Sequence, residues 1–262
     1  MTTLIIPDIH HKTAIVDEVL GREKYDQVVF LGDYFDDFND TPERTYETAE
    51  WLKRHLRNPR FTFLYGNHDL PYRFCAPGVK CSGFDIDKWQ ATLNVLNRED
   101  WDAIRLHAWV DGFLLSHAGW NQAFADSNGC ITRDHIDFVC AECLGELDQG
   151  RMHPLVAAGA SRDGSAVVGG IVWQDWTELE PITGLQQIVA HTPGIKVRYK
   201  NKDRATAACL DTRLCHVGVL DDGVFSIRTT PVWDKWFGPR GRFPDESTEE
   251  AHPLRFSAAL DS

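Results

Sequence analysis

The sequence predicts an α/β protein in which two mixed β-sheets pack together with helices outside. Three observations carry this. In the amino-terminal part, short apolar runs alternate with segments of helical period. Further on, apolar runs follow one another as hairpins, with turn signals at Asp111-Gly112 and Asp222-Gly223. No linker, repeat or low-complexity tract divides the 262 residues. One domain is therefore expected over 1–230, followed by an irregular carboxyl tail over 231–262.

Taken in order, Leu4-Ile5-Ile6 is the first strand, and Pro7 closes it. A helix is expected over 13–21, where Ala14, Val16, Val19 and Leu20 supply the apolar positions. Val28-Val29-Phe30-Leu31 reads as a short buried strand ended by Gly32. Thr41 as N-cap and Pro42 at the first helical position start a helix expected over 42–57. The third strand is expected over 61–65, an irregular lid or loop over 70–83, and a helix over 85–97. Strands over 104–110 and 113–116 form a hairpin, and 132–147 is helical. A Gly-, Ala- and Ser-rich crossing over 150–170 leads to a short strand at 171–173. Strands over 186–190, 197–199, 205–211, 217–220 and 224–228 complete the pattern.

Composition narrows the function. A formal charge of −12 opposes general nucleic-acid binding through a basic face, and equally an anionic membrane surface. A local pocket of metals and arginines is still compatible with phosphate. No segment is apolar for long enough to span a bilayer, and no basic-then-apolar leader opens the chain. Seven scattered cysteines fit a reducing compartment, so a cytoplasmic protein is expected. Cys140 and Cys143 form a lone C-x-x-C without a matching pair; two thiols on a helix explain them better than zinc.

The chemistry lies at the strand ends. Asp8 and His10 follow the first strand, Asp33 and Asp36 the second, Asn67 and His68 the third. His117 and His191 follow two later ones. In open α/β sheets ligand-binding groups collect at the carboxyl ends of strands. Any one such Asp or His is ordinarily a cap, a turn residue or a hydrogen-bonded side chain. Recurrence at corresponding positions is harder to dismiss. Imidazoles, carboxylates and an amide oxygen on converging loops suit borderline divalent metals such as Mn, Fe or Zn.

The strings PDIHH, GDYFDD, GNHD, SHAG, AHT and LDT together resemble the calcineurin-like metallophosphoesterase superfamily. The likeness covers roughly 4–212. A single His in the last motif, with Pro193 where the diesterase branches carry a second, places it nearer the protein phosphatases and symmetrical dinucleoside tetraphosphatases. The resemblance implies a two-sheet sandwich flanked by helices. It implies that Asp8, His10 and Asp33 hold a first metal ion. Asp33 would bridge to a second ion completed by Asn67, His117 and His191. Two such cations, about 3.5–4 Å apart, lower the pKa of a shared water and supply hydroxide for in-line attack on phosphorus. His68, held by Asp36, is the implied proton donor to the leaving oxygen.

Two departures from the protein-phosphatase pattern stand out. Asp37 occupies the place of an Arg after the second Asp, and His11 that of a Gly. A phosphate-clamping Arg must come from elsewhere, with Arg73 and Arg162 as candidates. Asp37 and Asp40 are expected to make the mouth more acidic. Trp173 is read as core first and substrate wall second.

The expected activity is that of a dimetal phosphoesterase, a phosphomonoesterase acting on a phosphoprotein or small phosphoester. A phosphodiesterase or dinucleoside polyphosphate hydrolase, with a nucleotide substrate, is the enzymatic alternative. A non-catalytic binding protein on the same fold is the alternative of another class.

Overall fold

The structure, a computed structural model, describes residues 1–128, 132–202, 205–237 and 254–255. Strand β1 (Thr2–Ile6), helix α1 (Thr13–Arg22), β2 (Gln27–Phe30), α2 (Pro42–Leu56) and β3 (Phe61–Phe63) open the chain. Helices α3 (Leu70–Arg73), α4 (Ile86–Leu93) and α5 (Arg98–Asp102) follow. Next come β4 (His107–Val110), β5 (Phe113–Ser116), α6 (Gln122–Asn128) and α7 (Arg133–Asp148). The remainder is β6 (Gln186–Val189), β7 (Arg198–Lys202), β8 (Ala205–Cys209), β9 (His216–Asp221), β10 (Val224–Thr229), α8 (Pro231–Phe237) and β11 (Leu254–Arg255).

Two sheets result, ordered β11-β10-β9-β1-β2-β3 and β4-β5-β6-β8-β7. The β1–β2–β3 pairings are parallel, as are β5–β6–β8; the hairpins at the margins are antiparallel. Alternation along β1 explains its unbroken apolar run. Leu4 and Ile6 join the core beneath the helices, whereas Ile5 joins Val29, Leu31, Leu115, Ile188 and Leu210 between the sheets. Each such side chain, fully buried, contributes about 1.5–3 kcal/mol. This two-sided burial fixes the strands and so fixes where their ends emerge.

Thr41 caps α2 as the sequence predicts, accepting from Arg44 N, while Thr132, expected inside its helix, instead caps α7 by accepting from His135 N. Cys140 and Cys143 are buried on α7. No helix among the described residues is long and apolar enough to cross a membrane.

Several elements differ from expectation. The third strand stops at Phe63; Leu64 makes only an isolated bridge to Arg105. That bridge takes Arg105 out of the expected 104–110 strand, which begins instead at His107. The stretch before it folds as α5 behind an Asn97–Asp100 capping box. The expected helix over 85–97 is shorter, starting after the Asp85 cap and ending at Leu93. The expected loop at 70–83 opens with α3. Residues 171–173 are a buried turn, not a strand. Ile171 N bonds to Leu155 O and Trp173 N to Gly170 O, so these amides are spent locally. Helix α6 carried no distinct signal. The segment expected to be irregular begins with α8, capped by Thr230 and packed through Trp233 against His216. Leu254–Arg255 pair with β10, and the other residues of 238–262 lie outside the described ones.

Candidate metal centre

Three loops at the carboxyl ends of β1, β2 and β3 are fastened by backbone bonds. Ile9 N and His10 N both donate to Asp33 O, at 3.0 and 2.8 Å, and His11 N donates to Tyr34 O at 2.9 Å. Asp69 fastens the other pair. Its Oδ2 accepts from Asp33 N and Gly66 N, both at 2.8 Å, and its Oδ1 from Tyr34 N at 2.9 Å. Gly66 permits the approach: a Cβ there would lie 2.0 Å from Asp33 Oδ1. Four site residues hold left-handed backbone, with φ of 43° at His10, 53° at Asp33, 59° at Asp36 and 65° at His191. Such conformations cost about 1–3 kcal/mol each and persist only where the surroundings enforce them.

Two groups of donor atoms share Asp33. In the first, His10 Nε2 lies 3.9 Å from Asp8 Oδ2 and 3.9 Å from Asp33 Oδ2. In the second, His117 Nε2 lies 3.0 Å from Asn67 Oδ1, 3.1 Å from His191 Nδ1 and 3.3 Å from Asp33 Oδ2. The other ring nitrogens decide which tautomer faces inward. His117 Nδ1–H donates to Leu31 O at 2.9 Å, and His10 Nδ1–H to Asp36 O and Phe35 O. Each Nε2 therefore turns a lone pair toward carboxylates. Acceptors facing acceptors repel unless a cation lies between them. His191 Nε2 is buried with no hydrogen-bond partner. This mixed N/O donor set fits borderline divalent ions.

The electrostatics agree. Burial alone would raise Asp33, but His117, His68 and His10 hold it well below the usual carboxylate range. Burial and the nearby Asp211 carboxylate push Asp8 well above that range. Burial alone would lower His117, yet Asp33 and Asp8 push it up to about 9. Burial and the His117 charge hold His191 well below its ordinary value.

Beside this cluster, His68 N donates to Asp33 Oδ1 at 2.9 Å and His68 Nδ1–H to Asp36 Oδ2 at 3.0 Å. Burial opposes charge on His68, but Asp33 and the Asp36 bond outweigh it and push the ring up to about 11. Asp36 is itself over-determined. Its Oδ1 accepts from Tyr72 Oη at 2.5 Å and Lys88 Nζ at 2.8 Å.

The structure thus brings together Asp8, His10, Asp33, Asn67, His117 and His191, with His68 and Asp36 alongside. It does not bring Arg73 there. That guanidinium is taken by Asp102 at 3.1 Å and Asp148 at 2.7 Å and stacks over Phe74. Arg162 reaches the edge, pairing with Asp175 at 2.8 Å and donating to Thr192 Oγ1 at 3.0 Å, one residue from His191. Trp173 is half-buried and meets the His191 ring edge-on at 5.7 Å. The expected acidity of the mouth is offset. Lys12 pairs with Asp37 at 3.1 Å, and Lys88 and His11 hold Asp40 at 3.0 and 2.9 Å. Asp69, Tyr72 and Lys88 were not foreseen. Asp69 had a signal, being next to the Asn67-His68 pair; the others had none.

A model of the calcineurin-like phosphoesterase family matches residues 1–141, more than half of the chain. The chain belongs to that family and is a metal-dependent phosphoesterase. No curated protein sequence matches it. Among solved structures it is similar to the cold-active protein-tyrosine phosphatase of a psychrophilic Shewanella species. The TM-score is 0.53 and the identity 13%, over 87% of this chain and 80% of that one. A Saccharomyces cerevisiae protein serine/threonine phosphatase gives a TM-score of 0.45 and 13% identity, over 88% and 79% of the two chains. At these identities the Shewanella match shows a shared fold and nothing finer.

Proposed function

We propose that the chain is a phosphomonoesterase working with two divalent cations, Mn, Fe or Zn, on a phosphoprotein or small phosphoester in the cytoplasm. Asp8, His10 and Asp33 would hold one ion; Asp33, Asn67, His117 and His191 the other. When bound, the pair would polarise phosphate oxygens and make a water acidic enough to serve as nucleophile near neutral pH. The chain's own residues do the rest. His68 presents Nε2–H to the departing oxygen, which leaves protonated and not as an alkoxide. Asp36 fixes the ring through Nδ1 and supports its positive charge, while Tyr72 and Lys88 keep Asp36 in place. Arg162 and Trp173 border the His191 side, where a phosphate group and its substituent would lie.

The observation that carries this reading is the position of Asp33. One carboxylate belongs to both donor groups and also accepts from the amide of His68, tying proton donor and metal ligands to one residue. Purified protein with Mn²⁺ is expected to hydrolyse p-nitrophenyl phosphate, and Asp33→Asn and His117→Ala to abolish this. Undiminished turnover by both variants would overturn the reading. A panel of phosphoserine peptide, bis-p-nitrophenyl phosphate and diadenosine tetraphosphate should favour the monoester. Preference for either of the others would replace the substrate class and leave the metal centre standing.

A further inference from the structure

Cys81 lies beside the Asp36–His68 pair and has no part in the chemistry described so far. It comes from the segment between α3 and α4. Its thiol donates to Asp36 Oδ2 at 3.3 Å, the same oxygen that accepts from His68 Nδ1 at 3.0 Å. Asp36, His68 and Cys81 each offer one ligand atom, and these atoms all lie within 4.8 Å of one another. A tetrahedral zinc ion, with bonds of about 2.0–2.3 Å, spaces its ligand atoms about 3.3–3.7 Å apart. The two spacings from Asp36 Oδ2, 3.0 Å to His68 Nδ1 and 3.3 Å to Cys81 Sγ, lie close to that range.

We propose that Asp36, His68 and Cys81 form a third cation site, selective for a thiophilic divalent ion such as Zn²⁺, and that filling it disables the Asp36–His68 pair. The inhibitory half rests on the role given to His68 above; the binding half does not.

Ligand types argue for this choice of ion. Thiolate with imidazole and carboxylate suits zinc, and a thiolate is a poor partner for Mg²⁺ or Ca²⁺. Neither donor group at the centre contains sulfur. Charge closes once the ion has displaced the Cys81 S–H and His68 Nδ1 protons: Asp36, Asp40 and the Cys81 thiolate, set against Lys88, then leave two negative charges for one divalent ion to neutralise. Lys88 and Tyr72 occupy Asp36 Oδ1 and leave Oδ2 to the ion. Cys81 and His68 are only partly buried, so an ion has a route in. Three protein ligands and one open position match exchangeable zinc sites, not closed structural ones.

Binding would release the Cys81 S–H proton and the His68 Nδ1 proton to solvent. The ring would then hold its remaining proton on Nε2 with Nδ1 bound to the ion. Asp36 could no longer accept from it, so the imidazolium needed to protonate a leaving oxygen would not form. Zinc and catalysis therefore exclude each other at this pair, although the two-cation centre remains filled.

The test uses Co²⁺ as a spectroscopic substitute on the full chain preloaded with Mn²⁺. A thiolate bound to Co²⁺ gives a near-ultraviolet charge-transfer absorption that oxygen and nitrogen ligands do not. The wild type should develop this absorption, saturating at one ion per chain, and Zn²⁺ should quench it. Cys81→Ser should lose it, whereas Cys75→Ser and Cys140→Ser should keep it. Cys81→Ala serves as a second variant should the serine form fail to fold. No absorption in the wild type, or one that survives in both Cys81 variants, would overturn the proposal. The absorption needs no turnover, so its failure is distinct from failure of the phosphoesterase reading. In an active preparation, Zn²⁺ added beyond the two-ion centre should suppress hydrolysis in the wild type. The Cys81 variants, each compared with its own zinc-free rate, should resist it; equal sensitivity would remove the inhibitory half.

Discussion

His117 and His216 are both buried histidines at strand margins, and their charges go opposite ways. His216 begins β9, near the Trp233 ring, with the Thr212 hydroxyl as its polar partner. Burial expels its proton and takes it down to about 4. His117, no less buried, faces Asp33 and Asp8 and goes up to about 9. The difference shows what the strand-end loops have done. They have assembled more acidic groups than the interior tolerates, so the cluster requires positive charge, and divalent ions would meet that requirement better than a proton.

The most severe way to break this contrast is Asp33→Asn, which removes the carboxylate common to both donor groups. Hydrolysis of p-nitrophenyl phosphate should fall by about a thousandfold or more, read as kcat at saturating Mn²⁺. Asp36→Asn is milder. It keeps the six metal-type ligands but leaves His68 with a weaker partner, so kcat should drop by about a hundredfold with bound metal unchanged. Loss of metal in that variant would show that Asp36 acts on the centre itself.

The His216 side of the contrast is read through stability. A depressed histidine means that the unfolded chain binds more protons than the folded one between pH 6.5 and about 4. The contribution of a neutral His216 is therefore fully present above 6.5 and lost as pH falls through about 4. It amounts to about 3 kcal/mol for a shift of this size. Urea unfolding from pH 7 to 4 should show the decline, and His216→Leu should flatten it; the same slope in both proteins would remove the contrast. The smallest effect belongs to Lys12→Met. The Lys12–Asp37 pair is partly exposed at the mouth, and losing it should change the unfolding free energy by less than about 1 kcal/mol.

What could be read in the sequence follows the same physics. The Leu4–Ile6 and Val28–Leu31 runs are apolar because both faces are covered, so the polar residues that follow them mark the strand ends. Asp8 and Asp33 were legible as strand-end residues for that reason, and Asn67 and His117 follow β3 and β5 in the same way. Lys88 and Tyr72 were not, because nothing local to α4 or α3 says which carboxylate they will meet. Arg73 misled because it lies close in sequence to Asn67 and His68, while Asp102 and Asp148, far along the chain, claim it in space. Ile171-Val172-Trp173 has strand composition, but its amides bond to Leu155 and Gly170 and form no ladder. Sequence pattern reports burial and local caps well; it says little of partners supplied by distant segments.

The proposed activity turns on Asp33, which belongs to both donor groups and would hold two ions. Metal content per chain, measured after equilibration with Mn²⁺ and removal of free ion, tests it most directly. Two ions are expected on the wild type and neither retained on Asp33→Asn; two ions on that variant would contradict the account.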